Sequence, residues 1–210
     1  MPSAEEPSAA EQDQPGLAAE PPGAAEDRGY PPFRQTGETV LQEGWAIRLT
    51  LATFTGPAGE QFDRDVVRHP GAVAVVAITD EDCVVLVEQY RPAVDRWLLE
   101  LPAGTCDVDG EPDHLTANRE LAEEVGYSAG TLTLLTRCAV TPGFCDEYSS
   151  VFLGTDLTKA PPDRHGIEEQ YMRVVEVPLD RFDEMVDDGS IVDATTILGV
   201  GLAKRRLQGG

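Results

Sequence analysis

Positive charge is the scarcest property of this chain. Lys and Arg number 16 against 38 Asp and Glu in 210 residues, a formal net charge of −22, and most of the sixteen are Arg. A surface of that sign argues against nucleic-acid and anionic-membrane partners, both of which call for basic patches. It also means that a phosphate-bearing ligand would need Arg or a metal supplied locally. Cysteines are few: Cys83, Cys106, Cys138 and Cys145 form no Cys-x-x-Cys pair and stand at no zinc-type spacing from histidine. Cys83 and Cys138 lie in apolar runs and read as small buried hydrophobes. His69, His114 and His165 form no spacing pattern and read as structural or exposed. Neither a membrane-length apolar run nor a signal-peptide pattern is present. The expectation is a cytoplasmic protein with reduced thiols.

Large hydrophobes are also scarce at the start. Residues 1–34 are rich in Ala, Pro, Glu and Ser, with little beyond Leu17 that is large and apolar before Tyr30. Such a stretch cannot bury enough apolar surface to offset its ordering entropy, so a disordered tail is predicted. Folded structure is expected from near Glu38, with residues 35–70 as an N-terminal β subdomain and 71–207 as the main domain. Trp45–Phe54 and Gln61–Val67 read as a hairpin around the Gly56–Gly59 turn. Ala72–Ile78 suits a buried strand, Cys83–Tyr90 its return, and Trp97–Leu101 a further strand. Asp113 is the expected N-cap of a helix that closes at Gly126. Strands are predicted over Thr131–Val140, Ser149–Leu153 and Tyr171–Val177, then helices over Leu179–Asp188 and Ala194–Leu207. The pattern is α+β with a mixed sheet.

What the chain does have is a concentration of acid on that central helix. Glu120, Glu123 and Glu124 fall within about one turn, because residues three and four apart share a helical face. Like charges so placed repel, and Arg119, one turn before Glu123, cannot neutralise them together with Glu111. A hard divalent cation is the natural remaining partner, since it prefers carboxylate oxygens. The alternative is a solvated acidic helix face.

The surrounding residues favour the cation. Gly104, Glu111, then Arg119-Glu-Leu-Ala-Glu-Glu-Val-Gly126 and Tyr127 closely resemble the Nudix box. One departure stands out: six residues, not five, separate Gly104 from Glu111. The resemblance implies an α/β/α sandwich and hydrolysis of a nucleoside diphosphate linked to another moiety, with Mg²⁺ or Mn²⁺ held by the box. Carried over by position, Glu120 and Glu124 would be metal ligands, assisted by the Ala103 carbonyl. Glu123 would ligate a further metal or orient water. Arg119 would hold the glutamates in place, Glu111 would be a hydrogen-bonding support, and Gly104 and Gly126 would be structural.

Beyond the box the chain resembles ADP-ribose pyrophosphatases. The resemblance rests on Val87–Val94 with Trp97–Gly104, on Thr141-Pro-Gly-Phe-Cys-Asp-Glu147, and on Gly189-Ser-Ile-Val-Asp-Ala194. Pro142, fifteen residues after Tyr127, stands where that subfamily carries a specificity-marking proline. The resemblance implies that Arg91 contacts a substrate phosphate, a role its fork suits; an ion pair with Glu100 or Asp95 is the alternative. It places Arg64 and Glu147 among substrate-binding residues, Arg64 in its own or a partner subunit's site, and Trp45 as a stacking surface for adenine or else a core aromatic. It gives Glu168 or Glu169, in a loop, the role of catalytic base or extra metal ligand, Glu168 fitting better. Gln170 and Tyr171 stand where some relatives carry another acid.

The implied activity is cleavage of ADP-ribose to AMP and ribose 5-phosphate. The alternatives are another nucleotide sugar, a dinucleoside polyphosphate or an oxidised nucleotide as substrate, or a Nudix domain that senses ADP-ribose without turnover. Homodimerisation through the N-terminal hairpin is expected from the same resemblance.

Overall fold

The computed structural model describes residues 29–164 and 166–209. Backbone contacts separate Met1–Pro31 from Pro32–Gly210. Of the first unit only Gly29, Tyr30 and Pro31 are described, so the predicted disordered tail lies outside the described residues as far as residue 28.

Three antiparallel strands open the second unit: β1 (Arg34–Glu43), β2 (Arg48–Thr55) and β3 (Gln61–Arg68), in the order β1-β2-β3. The β2–β3 hairpin follows the sequence pattern, with Thr55 opposite Gln61 and Gly59 at a positive φ of 88° in the turn. β1 was not expected, and regular structure starts before Glu38. Its side chains are almost all exposed, and its register shifts between Gln35 and Gly37 and between Val40 and Gln42. Bulges interrupt the two-residue period that would reveal a strand. Trp45 lies in the β1–β2 connection, not in a strand, and is 98 % exposed.

The larger sheet holds β4 (Ala72–Ile78), β5 (Cys83–Arg91), β6 (Arg96–Glu100), β7 (Ala103–Thr105), β8 (Tyr127–Ala139), β9 (Tyr148–Lys159) and β10 (Arg173–Pro178). The order is β10-β5-β4-β9-β8, with β6 added to β5 and β7 to β4. β4 and β9 run parallel and the other pairs antiparallel, making the sheet mixed. Both faces are covered, which explains why β4 reads as an unbroken apolar run. Val73, Val75 and Ala77 point to one core, where Ala117, Leu121 and Val125 of α1 (Asp113–Val125) pack. Ala74, Val76 and Ile78 point to the other, with Phe182 of α3 (Phe182–Asp187) and Val200 and Ala203 of α4 (Ala194–Gln208). Each fully buried Val or Leu contributes roughly 1.5–3 kcal/mol. Gly199 lets α4 sit close: a Cβ there would lie 2.9 Å from Leu101 and 3.0 Å from Val151. The expected sandwich of helices on either side of a mixed sheet is present.

Local corrections concern ends and caps. Pro112, not Asp113, occupies the N-cap of α1, and the Asp113 carboxylate accepts a 2.6 Å hydrogen bond from the Ser150 hydroxyl instead. Gly126 closes α1 in the left-handed region at φ 71°. Residues 167–171 form a short helix, α2 (Ile167–Tyr171), so Tyr171 is not in a strand and Glu168 and Glu169 are not in a loop. Five residues carry too little period to announce a helix. The helix expected from Leu179 begins at Phe182. Cys83 and Cys138 are half-buried; Cys145 is the buried one, and all four thiols are free.

Candidate active site

The candidate site forms where the edge of the larger sheet meets α1. Pairing with β4 sets β7 so that Ala103 lies opposite Ala74 and Gly104 opposite Val73. α1 packs its apolar stripe on the same sheet, which turns Glu120 and Glu124 toward β7, while Glu123 lies beside Arg119. The Ala103 N–H donates to Glu124 Oε2 at 2.9 Å. Gly104 is required by contact: a Cβ there would lie 2.0 Å from the Glu120 carboxyl carbon. The additional residue before Glu111 is absorbed in a turn, with Glu111 N–H bonded to the Val108 carbonyl and Gly110 at φ 75°.

Arg119 lies among the acids. It reaches Glu120 at 2.7 Å, Glu123 at 3.2 Å, Glu111 at 3.3 Å and Asp107 at 3.6 Å. Glu111 also accepts from the Thr116 hydroxyl at 2.8 Å. Burial pushes the Glu124 carboxyl up to about 8; the Ala103 N–H and Arg91 oppose this, while the charges of Glu120 and Glu169 add to it. Burial also raises Glu120, against the pull of Arg119. A carboxyl held protonated near neutral pH beside two other acids is a group waiting for positive charge.

Around these acids runs a cleft of about 480 Å³, bordered by Trp45, Arg91, Glu120, Glu123, Glu124, Glu168 and Glu169. A second hollow of about 290 Å³ shares Arg91, Ala103 and Gly104 with it and adds Glu147 and Asp193. Arg91 sits between the two, at the end of β5. Its Nε lies 3.0 Å from both carboxylate oxygens of the buried Glu100, and Nη2 also bonds Glu100. The ion pair that is the alternative role for Arg91 therefore exists, with Glu100 and not Asp95 as partner. Asp95 instead accepts from Tyr90.

Arg64 and Pro142 are not brought to the acids. They border a separate hollow with Phe54 and Phe144, and Arg64 stacks over Phe62 at 4.7 Å. Of the α2 pair, Glu168 is exposed and Glu169 half-buried, and it is Glu169 whose charge is felt at Glu124. Sequence reasoning missed Asp107 and Gln89 as cleft residues. Asp107 lies in the box loop and could have been found as a further acid facing Arg119. Gln89 donates to Glu100 at 3.2 Å, a buried contact with no spacing signature.

The donor set suits a hard divalent cation. Among the described residues no three acidic, His or Cys side chains are already gathered as an ion cage. Arg119 draws Glu120 and Glu123 to itself, and Glu124 faces a backbone N–H. The groups that face one another here offer carboxylate oxygens, and burial partly desolvates those of Glu120 and Glu124. Gly104→Ala tests the fit. The obstructed group is the end of a flexible side chain, so folding should hardly change, while Glu120 is displaced. Calorimetric Mg²⁺ titration should show affinity reduced at least about tenfold, the lower end of what disturbing a ligand's support costs. Unchanged affinity would remove Glu120 from the ligand set.

A NUDIX domain model matches residues 68–193. The chain is 40 % identical over 167 residues to the ADP-ribose pyrophosphatase of Bacillus subtilis (strain 168), covering 78 % of this chain and 90 % of that one. It is 45 % identical over 169 residues to the ADP-ribose pyrophosphatase of Mycobacterium tuberculosis (strain ATCC 25618 / H37Rv), covering 80 % and 81 %. A crystal structure of an ADP compounds hydrolase superposes with a TM-score of 0.74 at 21 % identity, covering 84 % of this chain and 95 % of that one. That likeness speaks for the fold. Nudix hydrolases generally use divalent metal ions. A domain match over more than half the chain, close relatives over most of it and the box acids gathered on α1 agree: the chain belongs to the Nudix family and is a Nudix hydrolase.

Proposed function

We propose that the chain hydrolyses the pyrophosphate of ADP-ribose to AMP and ribose 5-phosphate, with Mg²⁺ as the working ion and Mn²⁺ as a substitute. The observation that carries this reading is one cleft joining the α1 acids, Arg91 and the α2 acids, in a chain resembling two ADP-ribose pyrophosphatases. Glu120, Glu124 and the Ala103 carbonyl would hold the ion, with Glu123 supporting a second one or a water. Bound there, a divalent ion neutralises phosphoryl oxygens and makes water more acidic.

The remaining work falls to the chain. Arg91 is oriented by Glu100 through Nε and Nη2, not Nη1, and binds a phosphate oxygen at the junction of the two hollows. Glu169, the more buried of the two α2 acids that border the cleft, accepts the proton of the attacking water. Arg119 balances the box acids and keeps them apart. Trp45, almost fully exposed at the cleft rim, offers a face on which adenine stacks. Exposed Val40, Leu41, Ile47 and Leu49 on and beside β1 and β2 support a homodimer through the three-stranded sheet.

The test is product analysis with Mg²⁺ over ADP-ribose, other nucleotide sugars, dinucleoside polyphosphates and oxidised nucleotides, on protein first sized by sedimentation. AMP and ribose 5-phosphate from ADP-ribose, at the highest kcat/KM, is the expected result, from a dimer. A faster substrate elsewhere in the panel would overturn the assignment, and a monomer would remove its second-copy part.

A further inference from the structure

Helix α1 carries the candidate metal ligands but has no basic residue in its own last turn. The carbonyls at a helix C-terminus need donors, and the negative end of the helix dipole favours a cation there. Both come from the segment after β9. The Ala160 N–H bonds the Gly126 carbonyl at 2.9 Å, and the Asp163 N–H bonds the Glu123 carbonyl at 3.0 Å. Arg164 Nε then donates to the Glu124 carbonyl at 2.9 Å. The same guanidinium turns Nη1 to the Met172 carbonyl at 3.0 Å.

Arg164 and Met172 flank α2, so this one side chain ties the entry of the α2 segment to its exit. It ties both to the main chain of Glu124. Met172 is itself 4 % exposed in the core beneath α1, with Leu121 and Val125, which fixes the exit end. Glu168 and Glu169 stand between these two anchors. α2 spans a single turn and has no side-chain cap at its start, so its position depends on ties of this kind.

We infer that Arg164 is a positioning residue, which holds the α2 acids at a set distance from the metal-binding face of α1 by bridging the Glu124 and Met172 carbonyls. This rests on the hydrolase reading above only for the work that the α2 acids do. The bridge needs two N–H groups in one plane, which guanidinium offers and ammonium does not. Arg164 touches neither the box carboxylates nor, by its bonds, the cleft. Its effect passes through main-chain carbonyls.

Arg164→Met, which keeps the apolar stem, separates this from a general packing role. On ADP-ribose with saturating Mg²⁺, kcat should fall about tenfold, within the range seen when a supporting hydrogen bond is lost. KM and Mg²⁺ affinity should stay within about twofold of wild type, since α1 keeps its other ties. Arg164→Lys should recover only part of the loss. In a Glu168→Gln/Glu169→Gln background Arg164→Met should cost nothing further, because the groups it positions are already gone. Hydrogen exchange, which needs no turnover, should show faster exchange at residues 166–172 with α1 amides around Leu121 unchanged. An undisturbed exchange pattern there would overturn the clamp, even if the enzyme proved to act on another substrate. Altered exchange with wild-type kcat, or a full tenfold loss persisting in the double-Gln background, would overturn the positioning role.

Discussion

Glu124→Gln is expected to lower kcat/KM by more than about a hundredfold, beyond what losing a supporting contact to a metal ligand costs, without loss of folding. The two effects separate because the carboxylate is costly to the free protein. Burial raises Glu124 from its ordinary 4.5 to about 8. Between those values the folded state binds a proton that the unfolded state has released. The contribution of Glu124 to stability is therefore full below about 4.5 and is lost as pH rises through 8. At pH 8.5 a neutral amide escapes that cost, which amounts to about 1.4 kcal/mol per pH unit between the unfolded and folded values. Its carbonyl oxygen can still accept the Ala103 N–H, and its NH₂ group faces the negative charges of Glu120 and Glu169. Metal-free Glu124→Gln should thus melt at or above the wild-type temperature at pH 8.5, while steady-state assay with Mg²⁺ finds it almost inactive. Full turnover would take Glu124 out of the ligand set. A lowered melting temperature would show that the carboxylate is structural.

The parts of this site that could be read in the sequence are those encoded over short separations. Glu120, Glu123 and Glu124 share a face because a helix repeats, and that helix was announced by its apolar period and its closing Gly126. The β4 and β5 runs were plain for a similar reason: a sheet covered on both sides needs unbroken apolar strands. β1 was hidden because its side chains are exposed and two bulges break its alternation. α2 was hidden because a single turn owes its place to contacts made elsewhere. Arg91 illustrates an intermediate case. Its strand-end position was visible, and so was Glu100 as a partner, but only the paired register of β5 and β6 sets them together. Arg164 had no signature at all, since its partners are backbone carbonyls 40 and 8 residues away. Residue identity carries no mark of which main-chain oxygen a side chain will meet.

Mg²⁺ affinity should rise about ninefold from pH 6 to 7 and about fivefold from pH 7 to 8, roughly fiftyfold in all, because an ion that ligates Glu124 must displace a proton held up to about 8. The sign follows from the raised carboxyl: protons and Mg²⁺ compete for the same oxygens, so acid weakens the metal. Burial raises Glu120 in the same direction, so it does not oppose the slope. Arg119 contributes no slope. Its guanidinium stays charged throughout this range, so pulling Glu120 and Glu123 away from it costs the same at each pH. Titration calorimetry at pH 6, 7 and 8, in buffers of different ionisation enthalpy, would count the protons released per ion. An affinity flat across that range would mean that Glu124 does not meet the metal. A slope that survives in Glu124→Gln would assign the displaced proton to Glu120. The free protein's stability gives the matching readout. Without metal the melting temperature should fall from pH 5 to 8, and saturating Mg²⁺ should raise it most at the alkaline end, where binding to the folded state is tightest. The same buried carboxyl that weakens the empty fold at neutral pH is what the cation stabilises when it binds.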